Sequence, residues 1–114
     1  MPKSAMNDRF IPEIAQILEL LEVQYKSKHP DADIDVYRRN QVSIRIRIID
    51  PDFQELDSIE RDESIWKILR NLPDNVRSNI TLLVLLTPDE TDRSFVNADF
   101  ENPKPSFSPL ERIP

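Results

Sequence analysis

Not one of the 114 residues is glycine. Phosphate-cradling loops, the dinucleotide-binding fingerprint and the nucleophile elbow all depend on backbone positions that only glycine occupies without steric cost. Their exclusion removes most nucleotide-dependent chemistry, and no cofactor is expected. Cysteine is also missing, which rules out disulfides, thiol catalysis and cysteine-held iron–sulfur clusters. The acid–base groups that remain are mainly carboxylates, none in a pair that an apolar surround obviously perturbs. No catalytic residue is therefore assigned, and the chain is not expected to be an enzyme.

A chain of this length has room for one hydrophobic core. Its 15 basic and 21 acidic residues leave a net charge of −6 and a pI of about 4.7. Such a balance repels nucleic acid and anionic membranes unless the basic residues gather on one face. No apolar run approaches the ~20 residues of a bilayer span. The first residues, MPKSAMNDRFIPEI, show no signal-peptide pattern. The expectation is a cytoplasmic protein without membrane contact.

Periodicity divides the chain into an N-terminal extension over 1–10, one α+β domain over 11–101, and a tail over 102–114 with four prolines in thirteen residues. Ile14, Ile17, Leu18, Leu21 and Tyr25 recur at helical spacing, predicting a helix from about Ile11 to Lys28. His29, the only histidine, reads as a cation at the end of that helix. Ile34 and Val36, then Val42, Ile44, Ile46 and Ile48, alternate as in a hairpin with one buried face. Side-chain chemistry favours a three-residue loop, Arg39–Asn40–Gln41. It pairs Val36 with Ile44 and Ile34 with Ile46, and sets Asp35 opposite Arg45 and Asp33 opposite Arg47. Asn40 or Gln41 would then adopt a left-handed conformation.

Asp57 and Glu60 form a capping pair for a second helix that sends Ile59, Ile65, Ile68, Leu69 and Leu72 toward the core before Pro73. Asp50, Asp52, Glu55 and Asp57 lack the glycine and spacing of a calcium loop, so no metal site is assigned. Ile80–Thr87 reads as a strand apolar on both faces, parallel to the one before it. Thr87-Pro88-Asp89-Glu90 then signals a short helix. The fold class is α+β, helix–strand–strand–helix–strand–short helix, with a three-stranded mixed sheet packed on one face by two helices.

This order, together with VSIRIRIID, PDFQE, IERDESIWKIL and LLVLLTPDE over about residues 42–90, resembles the BolA-like fold, a relative of the type II KH domain. The resemblance implies a small scaffold that binds partners. BolA-like proteins pair with monothiol glutaredoxins around a shared iron–sulfur cluster, held by a histidine that directly follows the Arg of the -ER- element. Here that position is Asp62, after Arg61, and Glu55 replaces the loop glycine. Cluster chemistry is therefore not carried over, and the GXXG loop of KH domains is missing as well.

Two surfaces follow. Ile49, Leu83 and Leu85 are expected on the sheet face away from the helices, joined by Phe107 and Leu110 of the tail. They would serve an unknown protein partner or a homodimer, unless Phe95, Val96 and Phe100 fold back over that face. Arg38, Arg39, Arg45, Arg47 and Arg61, with Lys67 and Arg70, offer a KH-like nucleic-acid surface. That alternative is disfavoured by the acidic net charge and by aspartates expected opposite Arg45 and Arg47. The leading expectation is a non-enzymatic protein-interaction or regulatory module.

Overall fold

Pro12 presets the backbone for the first turn of helix α1, Pro12–Leu21. In the computed structural model, which describes residues 6–103, α1 runs on through a wider π-type turn, Glu22–Lys26. Its apolar stripe of Ile14, Ile17, Leu18, Leu21 and Tyr25 is buried, as the spacing predicts. Strands β1, Asp33–Asn40, and β2, Ser43–Ile49, follow as an antiparallel hairpin. A 3-10 turn over Pro51–Glu55 leads to α2, Ser58–Leu69, and a short helix α3, Asp74–Arg77. Strand β3, Ile80–Leu86, lies parallel to β2, giving a three-stranded mixed sheet in the order β1-β2-β3. A 3-10 helix over Pro88–Arg93 and helix α4, Phe95–Glu101, close the described chain.

The hairpin differs from the expected register by two residues. Val36 faces Ile46, Ile34 faces Ile48, Asp35 faces Arg47 and Tyr37 faces Arg45. A shift of two preserves the alternation of faces, so hydrophobic period cannot distinguish the two pairings. Turn chemistry decides instead. Asn40 Oδ1 accepts the Val42 N–H at 2.9 Å, and Arg38 Nη1 donates to the Gln41 carbonyl at 2.8 Å. These bonds place the turn at Gln41–Val42 and leave an irregularity between Arg38 and Asn40. Val42, expected in the strand, is an exposed turn residue. Neither Asn40 nor Gln41 is left-handed; among the described residues that conformation belongs to Asn7, with φ 58°.

One sheet face rests on α1 and α2 through Val36, Ile44, Ile46 and Ile48 against Ile14, Ile17, Ile65 and Leu69. Each fully buried aliphatic side chain of this kind contributes ~1.5–3 kcal/mol. Asp57 and Glu60 make the expected capping box at α2, each side chain accepting the other's backbone N–H at 2.8 and 3.0 Å. Ile59, expected in the core, is 67% exposed. It precedes Ile65 by six residues, which carries it about 120° around the helix from the buried stripe.

The other sheet face is covered by α4. Phe100 is fully buried against Tyr37 and Val84, with its ring edge-on to Tyr37 at 4.9 Å. Of the residues expected to fold back there, Phe100 does so, while Phe95 is 92% exposed and Val96 partly exposed. At the β1 edge, Asn7 bonds backbone and side chain to Val36 and side chain to Ile34, filling hydrogen-bonding positions of the outermost strand. No helix among the described residues is long and apolar enough to cross a membrane.

Candidate functional site

The arginines are consumed by the fold. Side-chain exposures of Arg38, Arg45, Arg47 and Arg61 lie between 10% and 19%. Arg47 donates through Nε and Nη2 to Asp35 Oδ2, and through Nη1 to Asn97 Oδ1 and Glu101 Oε2. Its guanidinium lies 4.7 Å from the centre of the Phe100 ring. Burial works against that charge, but the bonds from Asp35 and Glu101 outweigh it and raise the pKa. Arg45, with Asp35 taken by Arg47, pairs with Asp99 at 3.1 Å. Arg38 pairs with Glu13 at 3.3 Å, and Arg39 is half-buried in β1. Arg45 and Arg47 therefore fasten α4 to the sheet instead of presenting charge to a phosphate backbone.

Arg61 is a second fastener. Its Nε donates to the carbonyls of Phe53 and Leu56, and Nη1 to the carbonyl of Leu85 at 3.1 Å. Both Nη atoms reach the Glu90 carboxylate, at 2.7 and 3.2 Å. That fork, followed by the Thr87 N–H on Oε1, holds the Glu90 carboxyl below the usual carboxylate range. Lys67 and Arg70 lie exposed at the end of α2, apart from these clusters.

The expected apolar surface needs correction. Leu83 and Leu85 pair with Ile46 and Ile48 and pack into the core beneath α1 and α2. The outward residues of β3 are Leu82, Val84 and Leu86, and Ile49 sits beside Leu86. A parallel register of this offset reverses which leucines face inward. Phe107 and Leu110 lie outside the described residues.

A surface remains along the outer edge of β3, with which no strand pairs among the described residues. A groove of about 180 Å³ runs along Leu83–Leu86, between Ser58, Arg61 and Asp62 of α2 and Ser94 and Val96 beside α4. The Leu86 carbonyl accepts the Asp50 N–H and so points toward β2. Strand alternation then turns the polar groups of Leu83 and Leu85 toward the groove, where Arg61 takes the Leu85 carbonyl. Exposed Val96 lines it, and exposed Phe95 precedes Val96 in sequence. Of its charged lining residues, Arg61 is paired with Glu90 and Asp62 is exposed; exposed Asp57 precedes Ser58 in sequence, and Asp89 and Asp92 follow β3.

A separate cluster forms where the end of the first helix meets the exit of β2. His29 Nδ1 lies 2.7 Å from Asp52 Oδ2 and 3.4 Å from Asp50 Oδ2. The His29 ring stacks on Tyr25 with centroids 4.2 Å apart. The Tyr25 hydroxyl donates to Asp50 Oδ2, while Asp50 Oδ1 accepts the Asp52 N–H at 3.0 Å. Burial, then the bond to the Asp50 carboxylate, keep the Tyr25 phenol protonated far above the usual tyrosine range. This gathering has no motif, since His29 and Asp52 are 23 positions apart. The Asp-Pro-Asp turn was legible; that a helix end would stop beside it was not.

Comparison with protein-family models, with curated proteins and with solved structures found no match to this chain.

Proposed function

We propose that this protein is a non-enzymatic interaction module that takes a basic, extended segment of a partner protein along the β3 edge. The observation that carries the reading is the groove at Leu83–Leu86, which combines outward-facing backbone groups with exposed Val96 and the exposed carboxylate of Asp62. An added strand would hydrogen-bond to Leu83 and to the Leu85 N–H, the Leu85 carbonyl being held by Arg61, and set apolar side chains against Val96. The acidity of Asp62 and of the adjoining segments at Asp57, Asp89 and Asp92 would favour lysine and arginine at the outward positions. It also opposes a second copy of this chain, whose net charge is −6. The likeness to BolA-like and type II KH proteins belongs to this reading as support for a partner-binding scaffold. With Asp62 at the position of the family's cluster-ligating histidine, it does not extend to iron–sulfur chemistry. Against the nucleic-acid alternative stands the pairing of four of its arginines, Arg38, Arg45, Arg47 and Arg61, each with a carboxylate.

The test is direct binding of synthetic decapeptides with alternating valine and lysine, or valine and glutamate, to the full chain. The lysine peptide should bind, weaken with added salt, and lose roughly 10-fold or more in affinity on Val96→Lys or Phe95→Lys, since like charges at a recognition surface cost several kcal/mol. Both positions are exposed, so the variants should fold. Failure of either peptide to bind at low salt overturns the reading. Binding that appears only after truncation beyond Glu101 would assign the edge to the chain's own tail instead.

A further inference from the structure

The geometry points to a divalent transition-metal site formed by His29, Asp50 and Asp52, with zinc(II) as the ion whose preferences it fits. Each residue offers one ligand atom, and the three atoms lie within 4.8 Å of one another. Tetrahedral zinc with N and O ligands at about 2.0–2.2 Å needs its donor atoms roughly 3.3 Å apart, so small side-chain rotations suffice. One imidazole with two carboxylates suits zinc better than magnesium or calcium, which favour all-oxygen sets.

Charge supplies a second argument. Asp50 is 0% exposed, yet among the described residues no lysine or arginine lies within ion-pairing distance of it or of Asp52. A buried carboxylate beside a second carboxylate is costly without a cation, and among the described residues the basic side chain within reach is a half-buried histidine. The donors are also held in place. The Asp50 N–H is bound to Leu86, its Oδ1 to the Asp52 N–H and its Oδ2 to the Tyr25 hydroxyl, as outer-shell partners orient metal ligands elsewhere. Stacking on Tyr25 fixes the plane of the imidazole.

Access is open. The Asp52 side chain is 63% exposed, and His29 also borders a cleft of about 730 Å³ between the end of the first helix and α2, which neither aspartate lines. Three protein ligands and a solvent-facing side leave a fourth position for water. The bound ion would tie the helix end to the β2 exit between residues 21 and 23 positions apart.

The experiment is calorimetric titration of untagged full-length protein with zinc chloride, alongside its melting temperature with and without the ion. One equivalent should bind and raise the melting temperature by several degrees, with magnesium and calcium producing no comparable shift. His29→Gln and Asp52→Asn, both at partly exposed positions, should fold and each weaken zinc at least about 10-fold. Cobalt(II) in place of zinc should give the visible absorption of a four-coordinate ion, lost in both variants. Absence of saturable zinc binding, or binding unchanged in both variants, overturns the site and leaves His29 a hydrogen-bonding pin between two aspartates.

Discussion

Arg47 ties its strand to two other elements at once: Asp35 on the neighbouring strand, and Asn97, Glu101 and the face of Phe100 on α4. Removing the guanidinium would leave Asp35 and Glu101 without a counter-charge and Asn97 without a donor. Both carboxylates keep enough exposure to rehydrate, which holds the loss below that of a fully buried pair. Arg47→Met should therefore cost about 2 kcal/mol in urea denaturation. Arg38→Met, which gives up one ion pair with Glu13 and the bond to the Gln41 carbonyl at the hairpin turn, should cost less, about 1 kcal/mol. Similar losses for the two would show that α4 is held by packing alone. The sequence announced that such arginines meet aspartates, but not which ones. Arg45 moved from Asp35 to Asp99 because a two-residue register shift put Tyr37 opposite it.

Among the elements, α2 and the segment after β3 are joined by Arg61 and Glu90. The proton chemistry of that joint is predictable. The carboxyl of Glu90 is depressed in the folded chain, so the unfolded chain takes up its proton first as pH falls. The stability it contributes is whole above the unfolded value of about 4.3 and drains away as pH drops through the lower folded value. Between pH 6 and pH 3 the urea midpoint of the wild type should fall further than that of Glu90→Gln; parallel declines would refute the assignment. Helix α2 itself was readable from Asp57, Glu60 and Pro73, since capping and helix breaking are local. Ile59 was not, because counting apolar residues overlooks the angle at which each leaves the axis. The hairpin was legible as a hairpin and illegible in register, because Asn40 and Arg38 set the turn through bonds that period-two patterning does not encode.

At the scale of the whole molecule, a single aromatic closes the second layer. Phe100 packs on Tyr37 and Val84, and the Tyr37 hydroxyl donates to its carbonyl at 2.7 Å. Phe100→Ala should cost about 3–5 kcal/mol by the cavity it leaves, whereas Phe95→Ser should change stability by less than ~0.5 kcal/mol. Thermal unfolding of both variants separates the two outcomes, and equal effects would mean α4 is not seated on the sheet. What the residues alone determined was local and periodic: two amphipathic helices, three strands, an α+β mixed sheet, and the loss of every glycine-dependent loop. The helices and strands follow from side chains acting on neighbours two to four positions away, and the parallel pairing from the strand–helix–strand order. The tertiary structure alone decided that Leu83 and Leu85 turn inward, that the arginines clamp α4, and that His29 comes to rest against Asp50 and Asp52. Each depends on how one element is offset against another distant in the chain, and that offset is selected by packing the whole core, not by any short stretch of it.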